Sequence, residues 1–281
     1  MGEPLSLPAA ISQLLVQVFG DDREAVMGYA VAQGHGVEIA DFISPARLDN
    51  PAECAELVSW YRERLPEVRG LVSFHGAFWN LLPGASDARM LSATRDRANQ
   101  SLDLAEAVGA ACVVFHLGFD WLSLDPGYAA SWAQREGAFW RSVMEGRSLP
   151  LVLENTREPR PQVVEAVVQA IGVHSTGICF DAGHAYLRSL PLGPQAAHLQ
   201  GATPLEWINY LGKRIGYLHL SDNDRSYDQH LPLGRGTVGW PALLAALAGA
   251  GVRAPAVMEV EGFEGARVTE EYLRSLGGEA T

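Results

Sequence analysis

Short apolar runs rich in β-branched residues alternate along the chain with longer amphipathic stretches, which predicts repeated strand and helix units around a parallel sheet. The runs fall at 37–40, 70–74, 112–116, 151–154, 177–181, 216–220 and 256–260, with a weaker one at 5–9. Helical periodicity fills the intervals near 22–33, 51–64, 87–108, 128–145, 160–171, 203–212, 240–250 and 266–275. Several helix ends are legible. Pro51 suits a first turn, Ser86 or Asp87 an N-cap, and Gly34, Gly109, Gly172 and Gly251 stand where helices should stop. About eight such units imply an α/β fold, the (β/α)8 or TIM barrel. No linker, low-complexity tract or charge block interrupts the pattern, so 1–281 read as one domain. The stretches 117–128 and 185–202 exceed ordinary connections and are expected as loops at the rim of a site.

Composition changes this picture little. The 281 residues, 48% hydrophobic and 19% charged, fit a globular protein. No apolar run approaches the roughly 18–20 residues of a membrane span, and MGEPLSLPAA lacks a basic n-region and a long h-region, so a cytoplasmic protein without a membrane partner is expected. Cys54, Cys112 and Cys179 form no CxxC pair and read as small buried hydrophobes. A net charge of −12 with no Lys/Arg cluster works against binding phosphate backbones, so nucleic acid is disfavoured as a partner.

The informative residues close the strands. His75, His116, Glu154, Asp181, His219 and Glu259 each stand at or near the end of a predicted strand. His184 follows Asp181 by three residues, and Asp228 and His230 lie in the loop after His219. One histidine at a strand end is ordinarily a hydrogen-bonded core residue. Six ionisable groups at the C-terminal face of one barrel converge, because parallel strands all end there, and a shared cation removes the cost of burying them. Mixed imidazole and carboxylate ligands suit Zn, Mn, Fe or Co better than Mg or Ca.

Other features weigh less. His35, His174 and His198 read as surface residues away from that face, and the glycines Gly234 and Gly236 lack the strand and helix context of a dinucleotide fingerprint, which leaves a phosphate-cradling loop as the lesser alternative to an ordinary turn. Trp132, Phe139 and Trp140 have helical spacing and should pack on the barrel, whereas Trp79 and Trp121 follow strand ends and are expected beside substrate. Arg157, Arg225 and Arg235 lie past strand ends and are candidates to clamp a substrate phosphate.

The ordered motifs FHGAFWNL, VVFHLGF, LVLEN, CFDAGH, YLHLSDND, DQHLPLGRGTVGW and MEVEG resemble the xylose isomerase-like barrel superfamily. That superfamily includes sugar isomerases and epimerases, the family 2 apurinic endonucleases of the endonuclease IV type, and related hydrolases. Likeness to endonuclease IV implies up to three divalent ions per chain. His75, His116 and Glu154 would hold one, bridging Glu154 with Asp181, His219 and Glu259 a second, and His184, Asp228 and His230 a third. Residues flanking these ligands depart from the repair enzymes: HGAFWNLLPG stands where they have a tyrosine near the histidine, Ala182 and Gly183 replace Thr-Cys, and SDNDRSYDQH lacks a lysine. The HGxFW and W-x6-FW features look similar to those of cobamide-remodelling phosphodiesterases. The resemblance therefore implies a metal-dependent phosphoester or phosphodiester hydrolase acting on a small phosphorylated or sugar-like substrate. The alternatives are a single-metal sugar or sugar-phosphate isomerase/epimerase using Glu154 and Glu259 as acid and base, and an abasic-site DNA endonuclease. A barrel that binds a sugar phosphate without catalysis is a further class.

Overall fold

Residues alternate between a helix-facing and a lumen-facing side along eight short strands, and this alternation sets the architecture. The computed structural model describes residues 6–119, 127–172, 176–190 and 200–277. The strands are β1 (Ile11–Val18), β2 (Gly36–Ile39), β3 (Val72–His75), β4 (Cys112–His116), β5 (Leu151–Glu154), β6 (Thr176–Asp181), β7 (Ile215–Leu220) and β8 (Ala254–Met258). Each pairs in parallel with the next, and β8 returns to β1 to close the barrel. Around it run α1 (Arg23–Gln33), α2 (Pro45–Leu48), α3 (Pro51–Arg64), α4 (Ala88–Val108), α5 (Tyr128–Val143), α6 (Pro161–Ile171), α7 (Ala182–Arg188), α8 (Pro204–Leu211), α9 (Trp240–Gly249) and α10 (Gly262–Gly277). The expected (β/α)8 barrel is the observed fold. None of the described helices is long and apolar enough to cross a membrane.

The two sides of the strands form two cores. Leu15, Cys112, Val114, Val152, Cys179, Tyr217 and Val257 fill the lumen. The larger cluster, with Val37, Ile39, Phe74, Val113, Phe115, Leu151, Leu153 and Phe180, packs between sheet and helices. Trp132, Phe139 and Trp140 are buried in that outer core, as their spacing predicts. The three cysteines are free and buried, and burial pushes the Cys112 thiol up to about 12.

Helix ends follow local chemistry. Asp87 accepts the amide protons of Arg89 and Met90 to start α4, while Gly34, Gly109 and Gly172 take left-handed caps that stop α1, α4 and α6. Two expectations need correction. The first strand is Ile11–Val18 and not 5–9: Pro8 has no amide proton for a ladder, and Gln13 and Gln17 in ISQLLVQV break an apolar run while still fitting the lumen side. The stretch 185–202, expected as a loop, begins within α7, which Asp181 caps through the amide of His184. Residues 120–126 and 191–199, the remainder of the two expected rim loops, lie outside the described residues.

Candidate metal centre and adjoining cavity

Period-two alternation carries polar residues to the top of the lumen. His116 follows lumen-facing Val114 by two residues, Glu154 follows Val152, Asp181 follows Cys179, His219 follows Tyr217, and Glu259 follows Val257. Strand pairing then sets His116 beside Glu154 and Asp181 beside His219. The packed lumen below makes the site's floor, and His75, Glu154, Asp181, His219 and Glu259 are all buried.

Glu154 is the hub. Its Oε2 lies 3.5 Å from His75 Nε2, 3.3 Å from His116 Nε2 and 3.2 Å from His219 Nδ1, and its Oε1 lies 3.1 Å from His184 Nδ1. His219 Nδ1 is 3.0 Å from Glu259 Oε2. Yet His75 Nε2, both Glu154 oxygens, Asp181 Oδ2, His219 Nδ1 and Glu259 Oε2 are buried without a hydrogen-bond partner. Donor atoms of Glu154, Asp181, His219 and Glu259 all fall within 4.8 Å of one another, as do those of His75, His116 and Glu154. Ligands about 2.1 Å from a tetrahedral ion stand about 3.4 Å apart, so these spacings fit cation coordination. His75 Nδ1 is meanwhile engaged with the Gly76 carbonyl at 2.9 Å, which turns Nε2 towards the cluster.

The third group is built differently. His184 Nε2 and His230 Nε2 lie 3.0 Å and 3.1 Å from Asp228 Oδ2, while the Nδ1 atoms face the carbonyls of Asn155 and Glu259, each at 3.0 Å. Carbonyl-held Nδ1 and inward Nε2 is the arrangement of a metal-ligating histidine. His230 adopts φ 48°, a strained value for a non-glycine residue.

Charge on these groups is strongly coupled. Burial pushes the Glu154 carboxyl up, but His219 and His116 more than reverse this and hold it well below the carboxylate range. Burial likewise opposes ionisation of Glu259, which His219 and His230 hold at about 2, and burial raises Asp181 to about 7 despite His184. His219 and His184 are held well above the usual imidazole range and His230 at about 10; their carboxylate neighbours outweigh burial. His116 is pushed down by burial.

A polar layer lies under the ligands. Fully buried Glu38 has Oε2 3.3 Å from His219 Nε2 and accepts from Tyr217 Oη at 3.1 Å, while its Oε1 accepts from Gln17 Nε2 at 3.3 Å. Gln17 Nε2 also donates to Glu259 Oε1 at 2.9 Å. His219 and Glu259 therefore each have one atom fixed below, leaving the other aimed at the cluster. Neither Glu38 nor Gln17 was identified from the sequence. The signal was a lone acid between two helix-facing apolar residues in GVEIA, which alternation assigns to the lumen.

Beside the centre opens a cavity of about 850 Å³ lined by His116, His184 and Asp228 and by Phe78, Trp79, Arg157, Arg188 and Arg225. Of the residues expected beside substrate, Trp79, Arg157 and Arg225 line this cavity; Arg188 was not foreseen. Arg235 is exposed and does not line the cavity, and Trp121 lies outside the described residues. His35, expected at the surface, is instead buried against Glu270; His174 and His198 are outside the described residues. A side chain at Gly236 would strike Asp222 Oδ1 and the Asn223 carbonyl, and the amides of Gly234 and Val238 donate to Asp222. The glycines serve this loop's own carboxylate and need no phosphate to explain them.

Comparisons with known proteins agree with the fold. A family model described as a xylose isomerase-like TIM barrel matches residues 30–276. A probable endonuclease 4 from Mycobacterium leprae is 28% identical over 204 residues, 68% of this chain and 73% of that protein. The TTHB071 protein of Thermus thermophilus, from a crystal soaked with ZnCl2, is 27% identical with a TM-score of 0.73, over 96% of this chain and 99% of the other. A D-tagatose 3-epimerase-like protein shares the fold, with a TM-score of 0.71 at 19% identity over 94% and 96% of the two chains.

Proposed function

The chain belongs to the xylose isomerase-like TIM-barrel family, and from that membership we propose a divalent-metal-dependent phosphoester hydrolase acting on a small substrate. The observation that carries this reading is the convergence of nine candidate ligands at one end of the barrel. His75, His116 and Glu154, then Glu154, Asp181, His219 and Glu259, then His184, Asp228 and His230, make three adjoining groups, and the first two leave buried donor atoms unpartnered. Up to three ions, zinc or manganese before iron or cobalt, suit these ligands. Similarity to the zinc-soaked Thermus thermophilus protein and to a probable endonuclease 4 supports the same assignment.

Bound ions would acidify water and polarise a phosphoryl oxygen. Glu154 spans two groups and fixes their separation. Glu259, tied to Gln17 through Oε1, keeps Oε2 at the cluster, where it would help to hold an ion and, with Glu154, lie beside the attacking water. Arg157 and Arg225 at the cavity wall orient the phosphate. The chain's charge of −12 favours a small substrate over duplex DNA.

A second reading, a one-metal isomerase or epimerase, draws on the Glu154, Asp181, His219 and Glu259 quartet alone. Elemental analysis of protein purified without added metal separates the two, followed by a panel of phosphodiesters and phosphosugars. About three ions and released phosphate or alcohol support the hydrolase; about one ion and an isomerised sugar overturn it.

A further inference from the structure

We propose that the cavity is an aryl phosphoester site, with Arg157, Arg188 and Arg225 holding the phosphate and Phe78 with Trp79 holding a flat, uncharged ring; this rests on the phosphoester reading above. The cavity wall has the opposite sign to the protein. In a chain of net charge −12, three arginines line one space beside His184 and Asp228. Most arginines with short carboxylate contacts lie on the outer helices, whereas among the described residues neither Arg157 nor Arg225 forms a salt bridge. Burial lowers the Arg188 guanidinium's affinity for its proton, Glu158 counters this, and neighbouring Arg157 lowers it further. An anion between them relieves that repulsion.

Arg225 is held ready for such a ligand. Its backbone sits at φ 72°, a costly conformation for a side-chain-bearing residue, anchored by its amide donating to Asn223 Oδ1 at 3.1 Å. The guanidinium lies 3.9 Å over the Tyr186 ring, and its buried Nε has no hydrogen-bond partner. With Nη2 donating to Ser189 Oγ at 3.5 Å as well, the guanidinium plane is fixed at the cavity edge, which suits directional recognition of an oxyanion.

The rest of the cavity indicates what the phosphate carries. Phe78 stacks on His116 at 4.3 Å and 21°, and Trp79 stacks on Phe78 at 5.3 Å and 28°, forming a stepped platform that leads away from the centre. Trp79 is 55% exposed, although a tryptophan normally gains by burial, and a ligand ring would cover it. Leu81, Leu82, Met90, Leu187 and Leu190 make the wall largely apolar, with Asn80, Thr156 and Ser226 as its neutral polar side chains, and a volume of about 850 Å³ far exceeds a phosphate group.

The test is calorimetric binding to the full-length holoprotein of 1-naphthylmethylphosphonate, whose P–C bond resists hydrolysis, against methylphosphonate and ribose 5-phosphate. The naphthyl compound should bind at least about tenfold more tightly than either control, and Trp79→Ala should abolish that preference. Arg157→Gln and Arg225→Gln should each weaken all three probes about tenfold or more. Arg157 is exposed, so its variant remains informative if the strained Arg225 position tolerates no change. Equal or tighter binding of ribose 5-phosphate, or affinities indifferent to both arginine variants, overturns the proposal. Displacement of the naphthyl probe by adenosine 5′-monophosphate assigns the ring to a nucleoside; displacement only by other aryl phosphonates assigns a non-nucleoside ring. Arginine-dependent binding without turnover of any phosphoester would sink the hydrolase and spare the cavity assignment. Hydrolysis unaffected by the three variants would do the reverse.

Discussion

Two buried groups of imidazoles and carboxylates use the same chemistry to opposite ends. At the start of β2, His35 Nε2 meets Glu270 Oε2 at 2.8 Å, Tyr29 donates to the same oxygen, and Arg274 Nε donates to Oε1 at 2.7 Å. Both carboxylate oxygens of Glu270 are satisfied. At the other end of the barrel, Glu154 lies among four imidazoles with neither oxygen in a hydrogen bond. The Glu270 cluster closes its own hydrogen bonds, whereas the cluster around Glu154 leaves converging buried atoms open, which a shared cation would satisfy. Convergence is the deciding term, because an isolated orphaned atom has a cheaper solution. Glu136 on α5 accepts from Trp140 Nε1 at 3.0 Å while its other oxygen is unpartnered, and burial simply raises its carboxyl to about 8 so that it stays protonated.

The largest effect expected is at the hub. Glu154→Gln should reduce bound metal from about three ions to about one, read by elemental analysis, because the residue serves two groups. Retention of the full complement would erase the distinction between the two clusters.

Glu136→Gln tests whether a solitary orphan is a protonation problem. A carboxyl whose folded pKa is about 8 gives stability that is complete below its unfolded value and is lost as pH rises through 8. Thermal melts of the wild type should therefore lose on the order of a few kcal/mol between about pH 5 and pH 8, and the glutamine variant should not. Parallel pH profiles would refute the neutral-carboxyl account.

Glu38→Gln asks how far the polar layer under the ligands sets their orientation. Zinc affinity by competitive chelator titration should fall about 10–100-fold with the fold intact. An unchanged affinity would make Glu38 a lumen filler.

The smallest effect belongs to the closed cluster. Burial opposes ionisation of Glu270, yet His35 and Tyr29 hold it at about 2, so its contribution is present above the unfolded carboxylate range and disappears as pH falls through 2. Glu270→Gln should cost roughly 1–2 kcal/mol at neutral pH, allowing for solvent screening, with the difference fading near pH 2 in melts. Its metal content should match the wild type; a loss there would show that the two ends are coupled.

The alternation of apolar runs and amphipathic stretches determined the barrel, since a parallel strand needs a returning helix and both periods are written in the chain. Strand ends determined most candidate ligands as well, because position along a parallel strand fixes height in the barrel. The sequence did not locate β1, whose glutamines disguise a lumen-facing alternation, or the helix that begins at Ala182, whose start depends on the Asp181 cap. Tertiary structure decided everything that depends on what lies opposite. It turned His35 inward because Glu270 waits across from it, brought Glu38 of β2 under His219 of β7, and set Arg188 on the wall with Arg157 and Arg225. Periodicity tells which side of an element a residue takes; only closure of the barrel determines its partners.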